Sequence, residues 1–200
     1  MDLKGKKVLV FGAGKSGIGA ADLLGSAGAQ PVIYDGNADL DKEAVLHKTN
    51  GKYTPEIWAG DFPERALDSL DLVVLSPGVP TDLPLVKSFY EKGLPVWSEV
   101  ELAYRTGKGE VLAITGTNGK TTTTALLGKI MGDARESVFV VGNIGIPFTS
   151  VALDTTEDSA IAAEISSFQL ETTIDFQPEV SAVLNVTPDH LDRHGTMEVY

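Results

Sequence analysis

Short apolar runs alternate with helical patterns along the chain, and this alternation predicts the fold before any motif is considered. Runs typical of buried strands occupy residues 7–11, 31–34, 71–75, 95–98, 111–114, 137–141, 159–163 and 180–186. Patterns typical of helices lie between them, at residues 18–27, 38–48, 83–92, 99–105 and 125–131. Because strands that alternate with helices form parallel sheets, the chain is predicted to have an α/β fold.

A phosphate-binding loop is predicted between the fifth strand and the helix that follows it. Gly116 and Gly119 allow a tight turn whose N–H groups point inward, and Lys120 adds a cation beside the positive end of the helix dipole. The Thr121 hydroxyl then suits Mg²⁺. The common pattern has a further glycine where this chain has Ile114, so this loop is shorter than usual. The alternative is a plain Gly/Asn turn before a threonine-capped helix.

A second glycine pattern, G-x-G-x-x-G, occupies residues 12–17 between the first strand and a helix. Such a loop binds a diphosphate at the helix N-terminus. The next strand ends at Asp35, where dinucleotide-binding folds place the acidic residue that holds a ribose. The pattern suits a nicotinamide dinucleotide and a nucleotide-sugar diphosphate equally. For Asp35 the alternative is a carboxylate that caps its own loop.

A rigid turn with the sequence Ser-Pro-Gly-Val-Pro occupies residues 76–80, directly after the third strand. Ligands of open α/β sheets lie beyond the carboxyl ends of the strands. This turn, the loop at 12–17 and Asp35 are therefore predicted to line one crevice. The alternative is that the turn only connects the strand to the next helix.

Two strands in the second half end in residues that predict a metal site. Glu164 follows the seventh strand, and in nucleotide enzymes an acidic residue at this place holds or orients Mg²⁺. The alternative is a helix-capping or solvated carboxylate. The polar residues after the last strand, which show no familiar zinc spacing, are either metal ligands or a polar loop. They are Asp189, His190, Asp192 and His194. Of these, His190 is the preferred candidate for a residue beside Mg²⁺.

The composition narrows the function classes. The 200 residues carry a formal net charge of −12, which argues against nucleic-acid binding because phosphate neutralisation needs a basic surface. The sequence has no cysteine, and the apolar run after its basic N-terminal residues is too short for a signal peptide. No apolar stretch approaches the length that spans a membrane. The prediction is a cytoplasmic protein with neither a nucleic acid nor a membrane as partner.

Three motifs stand out together, Gly-Thr-Asn-Gly-Lys-Thr at 116–121, Gly-Asn-Ile-Gly at 142–145 and Asn-Val-Thr-Pro-Asp-His-Leu-Asp at 185–192. In these motifs the chain resembles the Mur ligase family, the ATP-dependent amino-acid ligases of peptidoglycan synthesis. Two further stretches, at 76–80 and 164–171, are most similar to the branch of the family that adds D-glutamate. The resemblance covers the whole chain.

The resemblance implies an amide-forming ligase with two nucleotide sites. The first half would bind UDP-N-acetylmuramoyl-L-alanine, and the second half would bind ATP and Mg²⁺. In the family reaction the carboxylate of the substrate is activated as an acyl phosphate. The amine of D-glutamate attacks this group, and an amide, ADP and phosphate are formed.

The resemblance also assigns roles to individual residues. The residues expected at ATP are Gly116, Thr117, Asn118, Gly119, Lys120, Thr121 and Thr122. Those expected at the UDP-sugar substrate are Lys15, Ser16, Asp35, Ser76, Pro77, Gly78, Asn143, Gln169 and His190. Those expected at Mg²⁺ are Thr121, Glu164 and His190. The expected catalytic residues are Lys120, Glu164 and His190.

The chain departs from the family pattern in its length. Family members continue beyond position 200, with a modified lysine that bridges Mg²⁺ and a C-terminal domain that binds the incoming amino acid. The glycine-rich break at 106–109 predicts a Rossmann-like parallel-sheet domain at 1–106. An incomplete P-loop ATPase-type α/β domain is predicted at 107–200. The chain is expected to be an N-terminal piece of a ligase, inactive alone, with the D-glutamate site outside it.

Two other functions compete with a ligase. An NAD-dependent oxidoreductase would use the loop at 12–17 and Asp35, but it leaves the second phosphate loop unexplained. A nucleotide-sugar binding module without catalysis would suit the isolated piece.

Overall fold

A computed structural model of the chain describes residues 2–143 and 145–200, and its strands form two parallel sheets. The first sheet, in the order β3-β2-β1-β4-β5, contains β1 Lys7–Phe11, β2 Gln30–Asp35, β3 Glu56–Ala59, β4 Leu72–Leu75 and β5 Val96–Ser98. The second, in the order β7-β8-β6-β9, contains β6 Glu110–Thr115, β7 Val138–Gly142, β8 Ala160–Glu164 and β9 Val180–Val183. The predicted α/β fold is confirmed.

Helices or short 3₁₀ segments lie between consecutive strands, as crossovers between parallel strands require. The helices are α1 Lys15–Ser26, α2 Lys42–Lys48, α3 Pro84–Glu91, α4 Glu99–Thr106, α5 Lys120–Ala134, α6 Ser167–Leu170 and α7 Leu191–His194, of which α7 follows the last strand. Short 3₁₀ segments lie at Glu64–Ser69, Phe148–Ser150 and Ala152–Asp154. In the part of the chain that the structure describes, no helix is both long and apolar enough to cross a membrane.

Two element boundaries in the first half differ from the sequence pattern. The strand β3 was not predicted, because its residues Glu-Ile-Trp-Ala form a short edge strand that is only partly buried. The helix α2 begins at Lys42 instead of at residue 38. The reason is a capping bond, since Asp41 Oδ1 accepts a hydrogen bond from the Ala44 N–H at 2.9 Å.

The last strand is also shorter than predicted. It ends at Val183, whereas the apolar run continues to Val186. The residues after Val183 bind the phosphate loop, because the Thr117 N–H donates to the Asn185 carbonyl at 2.9 Å. Tertiary hydrogen bonds thus replace the strand pairing that the apolar pattern predicts.

One apolar core joins the two halves of the chain. Its buried members include Val10, Leu24 and Leu102 from the first half and Phe148 and Ile161 from the second. A separate apolar cluster covers the opposite face of the first sheet. Because one core is shared, the relative position of the two sheets is fixed by packing and not only by the connecting chain.

The helix α4 adds polar contacts between the two halves through the buried carboxylate of Glu101. The carboxylate accepts hydrogen bonds from the N–H groups of Ile174, Asp175 and Phe176, at 2.9 to 3.0 Å, and from Arg105 Nε at 2.5 Å. Burial alone would raise the pKa of Glu101. The hydrogen bonds from these three backbone groups and Arg105 outweigh burial and hold the pKa below its ordinary value.

A second buried carboxylate on α4, that of Glu99, also contacts the second half. Glu99 Oε1 accepts a hydrogen bond from Gln169 Nε2 at 2.6 Å. Glu99 Oε2 is buried and has no hydrogen-bond partner among the described residues. Burial therefore raises the pKa of Glu99 to about 7, and the bond from Gln169 opposes this rise only in part.

Candidate functional site

The predicted phosphate loop lies between β6 and α5, with its turn made by glycines. Gly119 has φ +84° and caps the first turn of α5, so it occupies the left-handed region that favours glycine. At Gly116 the constraint is also steric. A Cβ there would lie 2.9 Å from the carbonyl oxygen of Asn185, and φ is +132°. The loop therefore requires glycine at both positions.

The Lys120 side chain folds over this loop. Its ammonium group donates hydrogen bonds to the carbonyl oxygens of Gly116 at 2.7 Å and of Thr117 at 2.9 Å. Thr121 and Thr122 follow in the exposed first turn of α5. A cation, a helix N-terminus and exposed hydroxyls thus occur together, and this combination suits a polyphosphate with its metal.

Asn185 holds the phosphate loop in shape. Its Oδ1 atom accepts a hydrogen bond from the Asn118 N–H at 2.8 Å, and its Nδ2 atom donates to the Asn118 carbonyl at 2.9 Å. The motif at 185–192 contains Asn185, but the sequence assigned it no role. Its place as a polar residue near the end of the run at 180–186 was the available signal, because side chains at strand ends reach the neighbouring loop.

A cavity of about 570 Å³ opens beside this loop, and we call it the phosphate-loop cavity. Its lining comes from both halves of the chain, since Pro77 belongs to the turn after β4. The other lining residues that bear on the chemistry are Gly116, Lys120, Asn143, Phe168, His190 and Tyr200.

A second cavity of about 550 Å³ lies at the carboxyl ends of the first sheet, and we call it the glycine-loop cavity. It brings together six of the residues that the family resemblance assigns to the UDP-sugar substrate. They are Lys15, Ser16, Asp35, Ser76, Pro77 and Gly78. The loop at 12–17 is closely packed here, because a Cβ at Gly17 would lie 1.8 Å from the Gly12 carbonyl oxygen. This loop, the turn and Asp35 thus share one crevice.

Asp35 both lines the glycine-loop cavity and braces its loop. Its Oδ2 atom accepts a hydrogen bond from the Ala13 N–H at 3.0 Å. Its Oδ1 atom accepts from the Asn37 N–H at 3.0 Å. The loop-capping contact that was the alternative for Asp35 is therefore present, and each oxygen keeps a lone pair that can accept a further bond.

The two cavities adjoin. Pro77 and Asn143 line both of them. Lys15, at the start of α1, also crosses between the halves, because its ammonium group donates to the Gly145 carbonyl at 2.5 Å. The neighbouring Ile144 of the Gly-Asn-Ile-Gly motif lies outside the described residues. A ligand that extends from one cavity would reach the residues of the other.

Glu164 is buried in the middle of the second sheet, at the carboxyl end of β8. Its Oε1 atom accepts a hydrogen bond from Asn143 Nδ2 at 2.9 Å. Its Oε2 atom is buried and has no hydrogen-bond partner within the described residues. A buried carboxylate oxygen without a hydrogen-bond donor suits a cation.

His190 lies at the mouth of the phosphate-loop cavity in an unusual backbone conformation. Its φ of +50° is the one positive value of a non-glycine residue in the described ranges 2–143 and 145–200. Its ring centre lies 4.8 Å from that of Phe168, and about half of the side chain is exposed. His194 differs, because its side chain is largely buried and its Nε2 atom lies 2.9 Å from Ser167 Oγ.

No group of three or more carboxylate, imidazole or thiol side chains is arranged to hold a metal in the described residues. Mg²⁺ does not require such a cage, since it is commonly held by one or two carboxylates together with substrate phosphates and water. The carboxylate of Glu164 and the hydroxyl of Thr121 are therefore oxygen donors of the kind that Mg²⁺ uses with a bound nucleotide.

Gln169 is the predicted substrate residue that lies away from both cavities. It is 2% exposed, and its Oε1 atom accepts hydrogen bonds from the Ser166 N–H at 2.7 Å and the Ser166 hydroxyl at 3.0 Å. Its amide nitrogen binds Glu99. In this arrangement Gln169 supports the Ser166–Phe168 wall of the phosphate-loop cavity from behind.

Two family models match consecutive parts of the sequence. The model described as Mur ligase MurD-like, N-terminal domain, matches residues 6–98. The model described as Mur ligase middle domain matches residues 114–200.

Curated relatives match over the full length of the chain. The UDP-N-acetylmuramoylalanine–D-glutamate ligase of Lachnospira eligens is 58% identical over 200 residues. The ligase of the same name from Lachnoclostridium phytofermentans is 54% identical over 200 residues. In both cases the match covers 100% of this chain and 44% of the relative. The chain thus spans less than half the length of these proteins.

Solved structures show the same fold at lower identity. The UDP-N-acetylmuramate:L-alanyl-gamma-D-glutamyl-meso-diaminopimelate ligase of Neisseria meningitides aligns with a TM-score of 0.58 at 18% identity, covering 97% of this chain and 64% of that one. A murein peptide ligase of Psychrobacter arcticus aligns with a TM-score of 0.56 at 18% identity, covering 94% and 44% respectively.

Proposed function

We propose that this chain, which belongs to the Mur ligase family, forms the UDP-sugar and ATP sites of a ligase that adds D-glutamate to UDP-N-acetylmuramoyl-L-alanine. The reaction would serve peptidoglycan precursor synthesis in the cytoplasm, where ATP is available. The observation that carries this proposal is the pair of adjoining cavities, one beside each glycine loop. The proposed division places the UDP-sugar domain at 1–106 and the ATP-binding part at 107–200.

The phosphate-loop cavity is proposed to bind the triphosphate of ATP. The backbone N–H groups at the start of α5 and the ammonium group of Lys120 supply positive charge at one place. Such charge is needed because the reaction brings a carboxylate and a triphosphate together. Lys120 and the helix N-terminus offset that repulsion and stabilise the phosphoryl group during transfer.

Glu164 and Thr121 are proposed to hold one Mg²⁺ beside the phosphates, and His190 is proposed to lie beside a second Mg²⁺. The Oε2 atom of Glu164, which has no hydrogen-bond partner in the described ranges, supports this, since burial of a carboxylate oxygen without a donor is costly unless a cation balances it. When bound, Mg²⁺ would neutralise phosphate charge and polarise the oxygen of the transferred group. Asn143 fixes the rotamer of Glu164 through its hydrogen bond to Oε1.

The glycine-loop cavity is proposed to bind the UDP part of the substrate. Lys15 and Ser16 begin α1, where a diphosphate is favoured by the helix dipole, and Asp35 has acceptor capacity left for a ribose or base. The muramoyl-alanine end would then extend past Asn143 toward Lys120. The D-glutamate site is proposed to lie outside residues 1–200, as the resemblance to the family implies.

An NAD-dependent oxidoreductase remains the alternative that the first glycine loop allows. It requires only the glycine-loop cavity, and it gives Lys120 and Glu164 no task. A binding module without catalysis would use the same cavity. Both alternatives predict that ATP does not bind in the phosphate-loop cavity.

Calorimetric titration of this chain distinguishes the three functions. We expect binding of UDP-N-acetylmuramoyl-L-alanine and of a Mg²⁺-bound, non-hydrolysable ATP analogue, and no binding of NADH. Lys120→Ala should lower the affinity for the ATP analogue at least tenfold and leave the affinity for the UDP-sugar unchanged. The matched control is Lys129→Ala, an exposed lysine on the same helix, which should change neither affinity. Tight NADH binding without UDP-sugar binding would refute the proposal.

A further inference from the structure

We propose that Arg193 and Glu171 are positioning residues whose contacts align the glycine-loop cavity with the phosphate-loop cavity. The inference rests on the proposed function, because it assigns two ligands to the two cavities. Neither residue is among the expected ATP, substrate or metal residues. We call the pair and its contacts the Arg193–Glu171 clasp.

The Arg193 guanidinium is held on several sides. Its Nη2 atom donates to Glu171 Oε2 at 2.7 Å, and its Nε atom donates to Glu171 Oε1 at 3.2 Å. The side chains of Arg193 and Glu171 are 14% and 18% exposed. A bidentate pair with this little exposure is ordered and only weakly screened, unlike an ion pair on an open surface.

The clasp reaches the wall of the glycine-loop cavity. Arg193 Nη2 also donates to the Val79 carbonyl at 3.0 Å. Glu171 Oε2 accepts a hydrogen bond from the Thr81 hydroxyl at 3.1 Å. Val79 lines the cavity, and Thr81 lies just beyond the turn at 76–80. Both members of the clasp therefore bind the connection between β4 and α3, although they belong to the second half of the chain.

The clasp also supports the wall of the phosphate-loop cavity. Arg193 Cζ lies 4.9 Å from the centre of the Phe168 ring. The Phe168 ring packs in turn against His190, with 4.8 Å between ring centres, and both residues line the cavity. A cation over an aromatic ring restrains the position of the ring. One guanidinium thus contacts the turn of one cavity and the aromatic wall of the other.

The geometry requires arginine at this position. A lysine could keep one charged contact to Glu171, but it lacks the planar fork that binds a carboxylate at two atoms. It also could not bind Glu171 and the Val79 carbonyl while lying over Phe168. Two further titratable side chains in the described residues face Glu171, namely His194, whose Nδ1 atom lies 3.7 Å from Glu171 Oε1, and Tyr90, whose pKa is raised by burial and by the charge of Glu171.

This arrangement predicts that the two ligands bind cooperatively. A UDP-sugar that orders the turn at 76–80 would fix Val79, and through Arg193 it would fix Phe168 and His190 for the second ligand. By linkage, the effect on affinity is the same in both directions. We expect each ligand to raise the affinity for the other by about fivefold or more, which is the lower end of typical coupling between sites.

The test measures the affinity of UDP-N-acetylmuramoyl-L-alanine with and without a saturating Mg²⁺-bound, non-hydrolysable ATP analogue. In Arg193→Lys and in Glu171→Gln, the factor by which one ligand raises the affinity for the other should fall to about one. The affinity for each ligand alone should stay within about threefold of the wild-type value. Lys92→Met is the control, because it removes an exposed ion pair with Asp68 elsewhere on the surface. A merely structural role would weaken both ligands and leave the coupling intact. Coupling that is unchanged in both variants, or missing in the wild type, overturns the inference.

A measurement without ligands separates this inference from the proposed function. The Val79 N–H donates to the Ser76 carbonyl within the turn, at 2.9 Å. In Arg193→Lys its hydrogen exchange should be at least about fivefold faster, whereas exchange at Val8 and Val10 in β1 should not change. Unchanged exchange at Val79 overturns the clasp even if both ligands bind. If neither ligand binds the wild type while exchange responds as expected, the proposed function fails and the clasp stands as a structural contact.

Discussion

Replacing Glu99 by glutamine should make the protein more stable at pH 8 than the wild type. Glu99 is buried, one of its oxygens has no hydrogen-bond partner in the described ranges, and the other binds Gln169. Burial raises its pKa from 4.5 to about 7. A glutamine has nearly the same shape, its oxygen can still accept the bond from Gln169, and it carries no charge at any pH.

The magnitude follows from the pKa values. Between pH 4.5 and 7 the folded state binds more protons at Glu99 than the unfolded state does, so the free energy of unfolding falls as the pH rises. One pKa unit corresponds to about 1.36 kcal/mol. The two pKa values together give a penalty of about 2 kcal/mol at pH 6 and about 3 kcal/mol at pH 8. Glu99→Gln carries no such charge. The difference in the free energy of unfolding between the variant and the wild type should therefore grow by roughly 1 kcal/mol from pH 6 to pH 8.

The assay is urea unfolding of both proteins at several values between pH 5 and pH 8. Other titrating groups, the histidines included, act equally in both proteins, so the difference between the two curves isolates Glu99. Glu91→Gln, an exposed glutamate on α3, is the matched control and should show no pH-dependent difference. A difference between Glu99→Gln and wild type that stays constant or shrinks as the pH rises would refute the reasoning.

Other substitutions test the loops and the joint between the halves. Gly116→Ala should lower the free energy of unfolding by roughly 2 kcal/mol in denaturant titrations, since its φ is +132° and a Cβ would meet Asn185. Asp35→Ala should weaken UDP-sugar binding in calorimetry roughly tenfold without unfolding the protein, because the bond to the Ala13 N–H is lost. Glu101→Gln should cost about 3 kcal/mol of stability at pH 7. That cost should shrink below pH 4.5, as the wild-type carboxylate takes up a proton and loses its advantage.

The sequence predicts most of the fold because the strands are short buried runs between recognisable turns. The predictions from the sequence are wrong where tertiary contacts determine whether a strand forms and where it ends. The edge strand β3 has a mixed composition, and it is defined mainly by pairing with β2. The run at 180–186 ends in the apolar residue Val186, but Asn185 within it binds the phosphate loop instead of continuing the strand.

The candidate site was predictable to the extent that its features are local. Glycine loops are visible because a positive φ or a close backbone approach restricts the residue at that position, as at Gly116. The Arg193–Glu171 clasp was not visible in this way. Arg193 binds the Val79 carbonyl, 114 positions away in sequence, and no local pattern reports such a contact.

The two glutamates of α4 show why local sequence cannot settle the chemistry of a buried group. Glu99 and Glu101 are two positions apart in the same helix turn, and both side chains are buried. Burial acts on both, yet the pKa of Glu99 rises whereas that of Glu101 falls. The difference comes from donors that other parts of the chain supply, because Glu101 receives three backbone N–H groups and Arg105 while Glu99 receives one amide. That one amide belongs to Gln169, which the family resemblance assigns to the substrate and whose side-chain nitrogen binds Glu99 on α4.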